Sequence, residues 1–159
     1  MGRKMTETTD DIFFEDVVPG AVLRAGPYVI PEDELVGFAA AWDPMPIHID
    51  KDFAMKRGGL TASGTYLFAI RIRLIHTLPL QRSVIASAGW DKVRFHRPAH
   101  PGDALTLELT WRDKRRSRSK PDRGVVTGHY ALIDGSGEPV MSYIDTVLMR
   151  LRHPDSPGQ

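Results

Sequence analysis

Asp43 and His48 stand five residues apart in the run Trp42-Asp43-Pro44-Met45-Pro46-Ile47-His48-Ile49-Asp50. A carboxylate and an imidazole that share one water can hold it, take its proton and pass one on, which is acid–base chemistry near neutral pH. Fully extended, that spacing is about 17 Å, so the two side chains cooperate only if the segment curls. Two prolines make a fixed curl cheap in entropy. The same residues also fit a simpler account, with Asp43 ending a helix and His48 an ordinary surface or core histidine. On spacing alone the two accounts weigh evenly.

A second stretch, Gly58-Gly59-Leu60-Thr61-Ala62-Ser63-Gly64, leads into an apolar run. The start of a helix offers free N–H groups and partial positive charge. Small residues let a ligand oxygen approach that backbone. The Gly64 N–H is therefore a candidate to polarise a carbonyl, as an oxyanion hole does. A glycine turn followed by a Thr61 or Ser63 cap accounts for the same residues. Tyr66 follows closely enough to line such a pocket.

A third stretch is basic: Lys114, Arg115, Arg116, Arg118 and Lys120 lie between Arg112 and Arg123, against Asp113 and Asp122. It reads equally as a phosphate-binding patch and as a solvated loop between two strands. A nucleic-acid surface fits less well, because no aromatic residues interleave for stacking and the formal net charge is only +1.

The elements that must position these residues follow from periodicity. Pro31 suits a first helical position, and Glu32, Asp33 and Glu34 place negative charge at the positive end of the helix dipole. Leu35, Phe38, Ala39 and Trp42 then recur at helical spacing, and Pro44 ends the helix. A loop over 43–50 and a short helix over 50–56 come next. The run 62–78 is apolar on most sides, with Leu67, Ile70 and Leu74 in one stripe, and predicts a buried central helix. Arg71 and Arg73 interrupt it and need carboxylate partners or an exposed edge. Strands are predicted at 22–30, 84–96, around Leu105, Leu107, Leu109 and Trp111, at 125–134 and at 140–151. Asp134-Gly135-Ser136-Gly137 supplies a hairpin turn. Closely linked strands make an antiparallel sheet. Helices early and strands late predict an α+β fold, one long helix against a curved sheet.

The 159 residues, 42% hydrophobic and 26% charged, predict one globular domain over 11–152 with flexible tails at 1–10 and 153–159. No cysteine is present, which excludes disulfides and thiolate metal sites and fits a reducing compartment. No apolar run is long enough to span a membrane and the first residues lack the apolar core of a signal peptide, so a cytoplasmic location without membrane association is expected. His76, His96, His100 and His129 lack mutual metal-ligand spacing, and no metal site is assigned. Trp90 and Trp111 are expected in the core or at an interface.

Taken in order, Asp43, His48 with Pro46 two before it, Ile49-Asp50, Phe53-Ala54, the Gly-Gly-Leu-Thr-Ala-Ser-Gly segment, Gly89 to Phe95 and Arg97-Pro98-Ala99-His100-Pro101-Gly102-Asp103 resemble the MaoC-like hydratase/dehydratase family. The similarity runs from about Phe13 to Leu151. It implies a hot-dog fold, a homodimer or higher oligomer with active sites near the subunit interface, and hydration of a trans-2-enoyl thioester of coenzyme A or the reverse dehydration. Carried over by position, Asp43 and His48 become the catalytic pair and the Gly64 N–H binds the thioester oxygen, with Ser63 and Tyr66 beside it. No cofactor beyond the coenzyme A thioester substrate is implied. Arg115, Arg116 and Arg118 are candidate contacts to the coenzyme A phosphates, with a reach across a dimer as one arrangement. Two positions depart from many members, Met45 in place of Asn and Ser63 in place of His, and both alter the pocket wall. A hot-dog thioesterase is the first alternative, but it would want a carboxylate on the central helix, and 65–78 contains none. A non-catalytic acyl-CoA-binding subunit is the second.

Overall fold

The computed structural model describes residues 10–154. The sequence expectations for the terminal tails fall largely on 1–9 and 155–159, outside the described residues. A single 3-10 turn, Phe14–Asp16, precedes β1 (Val22–Val29). Four helices follow: α1 (Glu32–Trp42), α2 (Pro46–Ile49), α3 (Lys51–Met55) and α4 (Gly64–Ile75). The chain then closes with β2 (Val84–Phe95), β3 (Ala104–Arg116), β4 (Arg123–Ile133) and β5 (Pro139–Arg150). The five strands form one sheet in the order β1-β3-β4-β5-β2, every pair antiparallel. This is the α+β arrangement expected from the order of elements.

Period-two alternation decides which face of the sheet is covered. Leu105, Leu107, Leu109 and Trp111 of β3, Val126, Tyr130 and Leu132 of β4, and Met141, Tyr143, Val147 and Met149 of β5 are buried. They form one cluster with Tyr66, Leu67, Ile70 and Leu74 of α4. Removing such side chains from water stabilises the fold by about 1.5–3 kcal/mol each. The β4–β5 turn is held by Asp134, whose Oδ1 accepts from the Ser136 N–H and hydroxyl, while Arg97 pairs with its Oδ2 at 2.9 Å.

Several boundaries differ from the sequence expectation. Pro31 is the N-cap of α1, with extended backbone, and Glu32 is the first helical residue. Trp42 is 76% exposed, because α1 buries only the narrow stripe of Leu35 and Ala39. α4 is not covered all round: Ile72 is exposed and Phe68, Ala69 and Ile75 are half-buried. The basic stretch is mostly strand. β3 continues through Arg116, so the connection to β4 shrinks to 117–122. β2, by contrast, forms an outer edge of the sheet and is exposed along most of its length.

Candidate active site

The curl that Asp43 and His48 require is supplied by α2. The Asp43 N–H closes α1 by donating to Ala39 O at 2.8 Å, which leaves the carboxylate free. Met45 N-caps the next turn, Pro46 occupies its first position, and the His48 N–H donates to Met45 O at 2.8 Å. One turn of helix therefore folds five residues back on themselves. His48 Nε2 comes to 3.8 Å from Asp43 Oδ2. The imidazole is largely buried and the carboxylate about one-third exposed.

The tautomer of His48 follows from its other contact. Nδ1 lies 2.6 Å from Thr61 O, and a carbonyl only accepts, so Nδ1 carries the proton and donates. The Thr61 hydroxyl grips the same nitrogen at 3.2 Å. In the neutral ring Nε2 is then an acceptor, facing a second acceptor across a gap too long for a direct hydrogen bond. A water donating one hydrogen to each would separate its two partners by about 4.4 Å at ideal geometry, so the observed 3.8 Å admits one when the two groups part by roughly half an ångström. Such a water has its lone pairs directed away from both groups.

Thr61 links this pair to the start of α4. Its N–H donates to Ile47 O at 3.2 Å, and the next residue's N–H donates to Ala99 O at 2.8 Å. Gly58 and Gly59, with φ of +95° and +103°, turn the chain into this segment. Thr61, Ala62 and Gly64 then line a groove of about 380 Å³, with Phe95, His96 and Pro98 opposite. Of the two caps considered in the sequence, Ser63 is the one used: its Oγ accepts the Tyr66 N–H at 3.2 Å, and the side chain is buried. Gly64 is the first residue of α4, where the N–H has no intrahelical acceptor. A methyl group there would come within 2.6 Å of the Phe95 ring, so glycine is what lets that ring lie over the helix start.

Tyr66 is turned elsewhere. It is buried, and its hydroxyl donates to Glu34 Oε1 at 3.1 Å, beside the Tyr28 hydroxyl, which donates to the same oxygen at 2.8 Å. Burial pushes the Tyr66 phenol well above the ordinary tyrosine value. The residue ties α4 to α1 and β1 and does not face the groove.

The three arginines are also remote within one chain. Ile30, Asp103 and the β4–β5 turn mark the end of the sheet near the groove: Ile30 N–H donates to Asp103 O, and Phe95 pairs with Met141. Arg116 pairs with Gly124 at the opposite end of β3, about 40 Å away along the strand. Arg116 and Arg118 line a separate basic concavity with Lys120 and Arg123. Thus the structure brings Asp43 and His48 together, ties His48 to Thr61 in the segment that leads to Gly64, and separates all three from Arg115, Arg116 and Arg118. Sequence reasoning missed two participants, Thr61 as the anchor of His48 and Phe95 as the cover of Gly64. Thr61 was visible only as a candidate cap. Phe95 lies 31 positions from Gly64 and gave no local signal.

Among the described residues no group of three or more His, Cys, Asp or Glu side chains converges on a possible metal position. No helix among them is long and apolar enough to cross a membrane.

Comparison with known proteins agrees with this geometry. The MaoC like domain model matches residues 14–131. The MaoC-like dehydratase of Rhodospirillum rubrum is 33% identical, with a TM-score of 0.83 over 89% of this chain and 99% of that one. At lower identity, where likeness shows the fold alone, the R-hydratase PhaJ1 of Pseudomonas aeruginosa gives a TM-score of 0.71 at 22% identity, over 94% of this chain and 96% of its own. A conserved hypothetical protein of Mycobacterium tuberculosis with a double hot-dog fold gives 0.74 at 21%, over 93% of this chain and 47% of its own. The sheet wrapped on α4 is therefore a hot-dog fold. With a family model spanning most of the chain, and the Asp43–His48 turn and the α4 start inside the matched region, the chain belongs to the MaoC-like hydratase/dehydratase family.

Proposed function

We propose that the protein adds water to a trans-2-enoyl thioester of coenzyme A, or removes it from the 3-hydroxyacyl product, with Asp43 and His48 handling the water. The observation that carries this reading is the 3.8 Å gap between two groups that both present acceptors, set by the Nδ1–H bond from His48 to Thr61 O. A water held there attacks the β-carbon as Asp43 accepts a proton. A proton returns to the α-carbon from the same side, relayed or oriented by His48, so one water is added overall. Negative charge that develops on the thioester oxygen is stabilised by the Gly64 N–H at the start of α4.

The reading includes a homodimer in the cytoplasm that acts in fatty-acyl metabolism. The open edge of β2, the exposed Ile72 and the exposed Trp90 and Phe95 support a second subunit covering this flank. The lack of cysteine supports the reducing compartment. A thioesterase is less well supported. α4 carries no carboxylate, and Glu34, which reaches it through Tyr66, is already held by two phenols.

The test is the loss of conjugated-thioester absorbance across a panel of enoyl-CoA substrates, with free thiol followed in parallel. Wild type should consume the chromophore without releasing thiol. Asp43→Asn, which cannot take the proton, should be slower by about 10²–10⁴-fold. Full activity in that variant would overturn the role of Asp43, and thiol release would favour the thioesterase.

A further inference from the structure

The segment Arg97-Pro98-Ala99-His100-Pro101-Gly102-Asp103 contributes no side chain to the Asp43–His48 pair, yet it grips the stretch that anchors His48. Thr61 joins two peptide planes, and each plane is held at both ends. The plane shared by Leu60 and Thr61 accepts at its carbonyl from His100 Nδ1, 2.8 Å away, and donates through its N–H to Ile47 O at 3.2 Å. A carbonyl only accepts, so Nδ1 of His100 carries a proton. The plane shared by Thr61 and Ala62 accepts from His48 Nδ1 at 2.6 Å and donates to Ala99 O at 2.8 Å. Two imidazoles therefore hold two consecutive carbonyls, His48 from α2 and His100 from the 97–103 loop.

The loop is itself fixed. The His100 N–H donates to Asp103 Oδ2 at 2.8 Å, and the Asp103 N–H donates to His100 O at 3.1 Å. Gly102, with φ of +89°, makes the turn between them. Its N–H donates to Ile30 O at 2.9 Å, and the Ile30 N–H donates to Asp103 O at 3.0 Å. Ala99 is fully buried, and the half-buried His100 ring lies beside Gly58, Gly59 and Leu60. Gly58 and Gly59 give the backbone freedom just before Leu60, and the Leu60 carbonyl is the first acceptor after them.

We propose that His100 is a positioning residue, whose Nδ1–H holds the Leu60 carbonyl so that Thr61 stays seated on α2 and keeps His48 protonated on Nδ1. Of the two bonds on the Leu60–Thr61 plane, that of the Thr61 N–H is the longer, so His100 is the firmer hold. Without it the plane can turn about its Cα–Cα line, which takes the Thr61 N–H off Ile47 O and loosens Thr61 from α2. His48 then loses the acceptor that selects its tautomer. With the proton on Nε2 the ring would donate to Asp43 directly, and no lone pair would face the gap. The proposal rests on the hydratase reading for why the tautomer matters to rate, though not for the tautomer itself.

Three variants separate the donor from the bulk of the side chain. His100→Asn sets an amide N–H the same number of bonds from the backbone as Nδ1. His100→Gln carries that amide one carbon farther out, and His100→Leu keeps bulk with no donor. Imidazole nitrogen shifts of histidine-labelled protein, taken without substrate at mildly alkaline pH where an ordinary imidazole is neutral, report the tautomer. The His48 signals are assigned by their loss in His48→Gln. Wild type and His100→Asn should show His48 protonated on Nδ1, and the other two variants should show it moved to the Nε2–H form. In enoyl-thioester hydration, kcat should fall by about 10–100-fold in His100→Gln and His100→Leu, with KM within about threefold, and His100→Asn should recover most of the loss. Thermal denaturation checks folding; if His100→Leu does not fold, the two amides decide, since they differ only in reach. An Nε2–H His48 in wild type, a tautomer indifferent to every substitution, or equal kcat in the two amide variants would overturn the proposal. A tautomer change in a protein that hydrates no enoyl thioester removes the hydratase reading and leaves the hold on His48. Hydration that is unchanged in His100→Gln and His100→Leu removes the positioning role alone.

Discussion

Gly64→Ala tests the site at a single methyl group. The backbone of Gly64 is helical, so alanine fits it without torsional strain. The new Cβ would lie 2.6 Å from Phe95 Cζ and 3.0–3.1 Å from two further ring atoms. Ordinary carbon contact begins near 3.5 Å, so ring and helix must separate by roughly 1 Å. The clash is with the far end of the Phe95 side chain, more than half exposed within its own chain, so turning the side chain relieves it without moving backbone. Folding stability should therefore change by less than about 1 kcal/mol, since alanine also favours the helix. Activity should not be spared. On the proposed function, the methyl and the displaced ring occupy space over the helix start that the thioester needs, and a misplacement of about 1 Å can cost about a hundredfold in rate. The assay is kcat/KM for enoyl-thioester hydration, with thermal denaturation as the check on folding. Adding Phe95→Ala restores room for the ring but not for the thioester, so the double variant should stay slow. Activity within about threefold of wild type in Gly64→Ala would refute the reasoning. Recovery in the double variant would refute it too, by showing that the glycine serves only the packing of Phe95.

Arg71→Met leaves Asp145 buried without its counter-charge, although Ser87 and Trp90 still donate to it; urea denaturation should show a loss of about 3 kcal/mol, and the loss should shrink when Asp145→Leu is added. Burial raises Tyr66, Tyr130 and Tyr143 above the ordinary phenol value. Their neutral forms thus favour the folded state up to about pH 10, where an unfolded tyrosine ionises, and that contribution is lost as the pH rises beyond it. Urea midpoints should fall on the alkaline side, and Tyr143→Phe should lessen the fall. The same variant removes a buried hydroxyl that has no partner among the described residues, so at neutral pH it should be neutral or stabilising by up to about 1 kcal/mol. Light scattering should give a mass twice that of one chain, and a single-chain mass at micromolar concentration would remove the dimer from the proposed function.

The sequence carried the order of elements because hydrophobic period changes cleanly from helical to two-residue spacing after 78. It also carried Asp43 and His48, though not the reason they meet. α2 is four residues long, too short for any periodic signal, and its single turn is what closes the distance. Trp42 was misplaced because spacing identifies a helix face but not how much of it the neighbouring layer covers. The strand through Arg116 was invisible for a related cause: past Trp111, β3 loses its regular apolar alternation. The partner of Arg71 lay 74 positions away, and that of Tyr66 lay 32 positions away. Pairings of that range are set by the sheet, and no local pattern encodes them.

The two ends of the strands bear different equipment, the Asp43–His48 pair at one and the basic concavity at the other. Antiparallel pairing of two β2 edges would exchange those ends, turning each subunit's arginine end toward the other's Asp43–His48 end. On the proposed function, with the arginines holding the coenzyme A phosphates, neither polypeptide would then own a whole catalytic unit. A chain crippled at Asp43 and a chain stripped of Arg115, Arg116 and Arg118 would each be deficient as pure populations. Co-expressed, they would rebuild one intact unit in every mixed pair, so two defective alleles would complement.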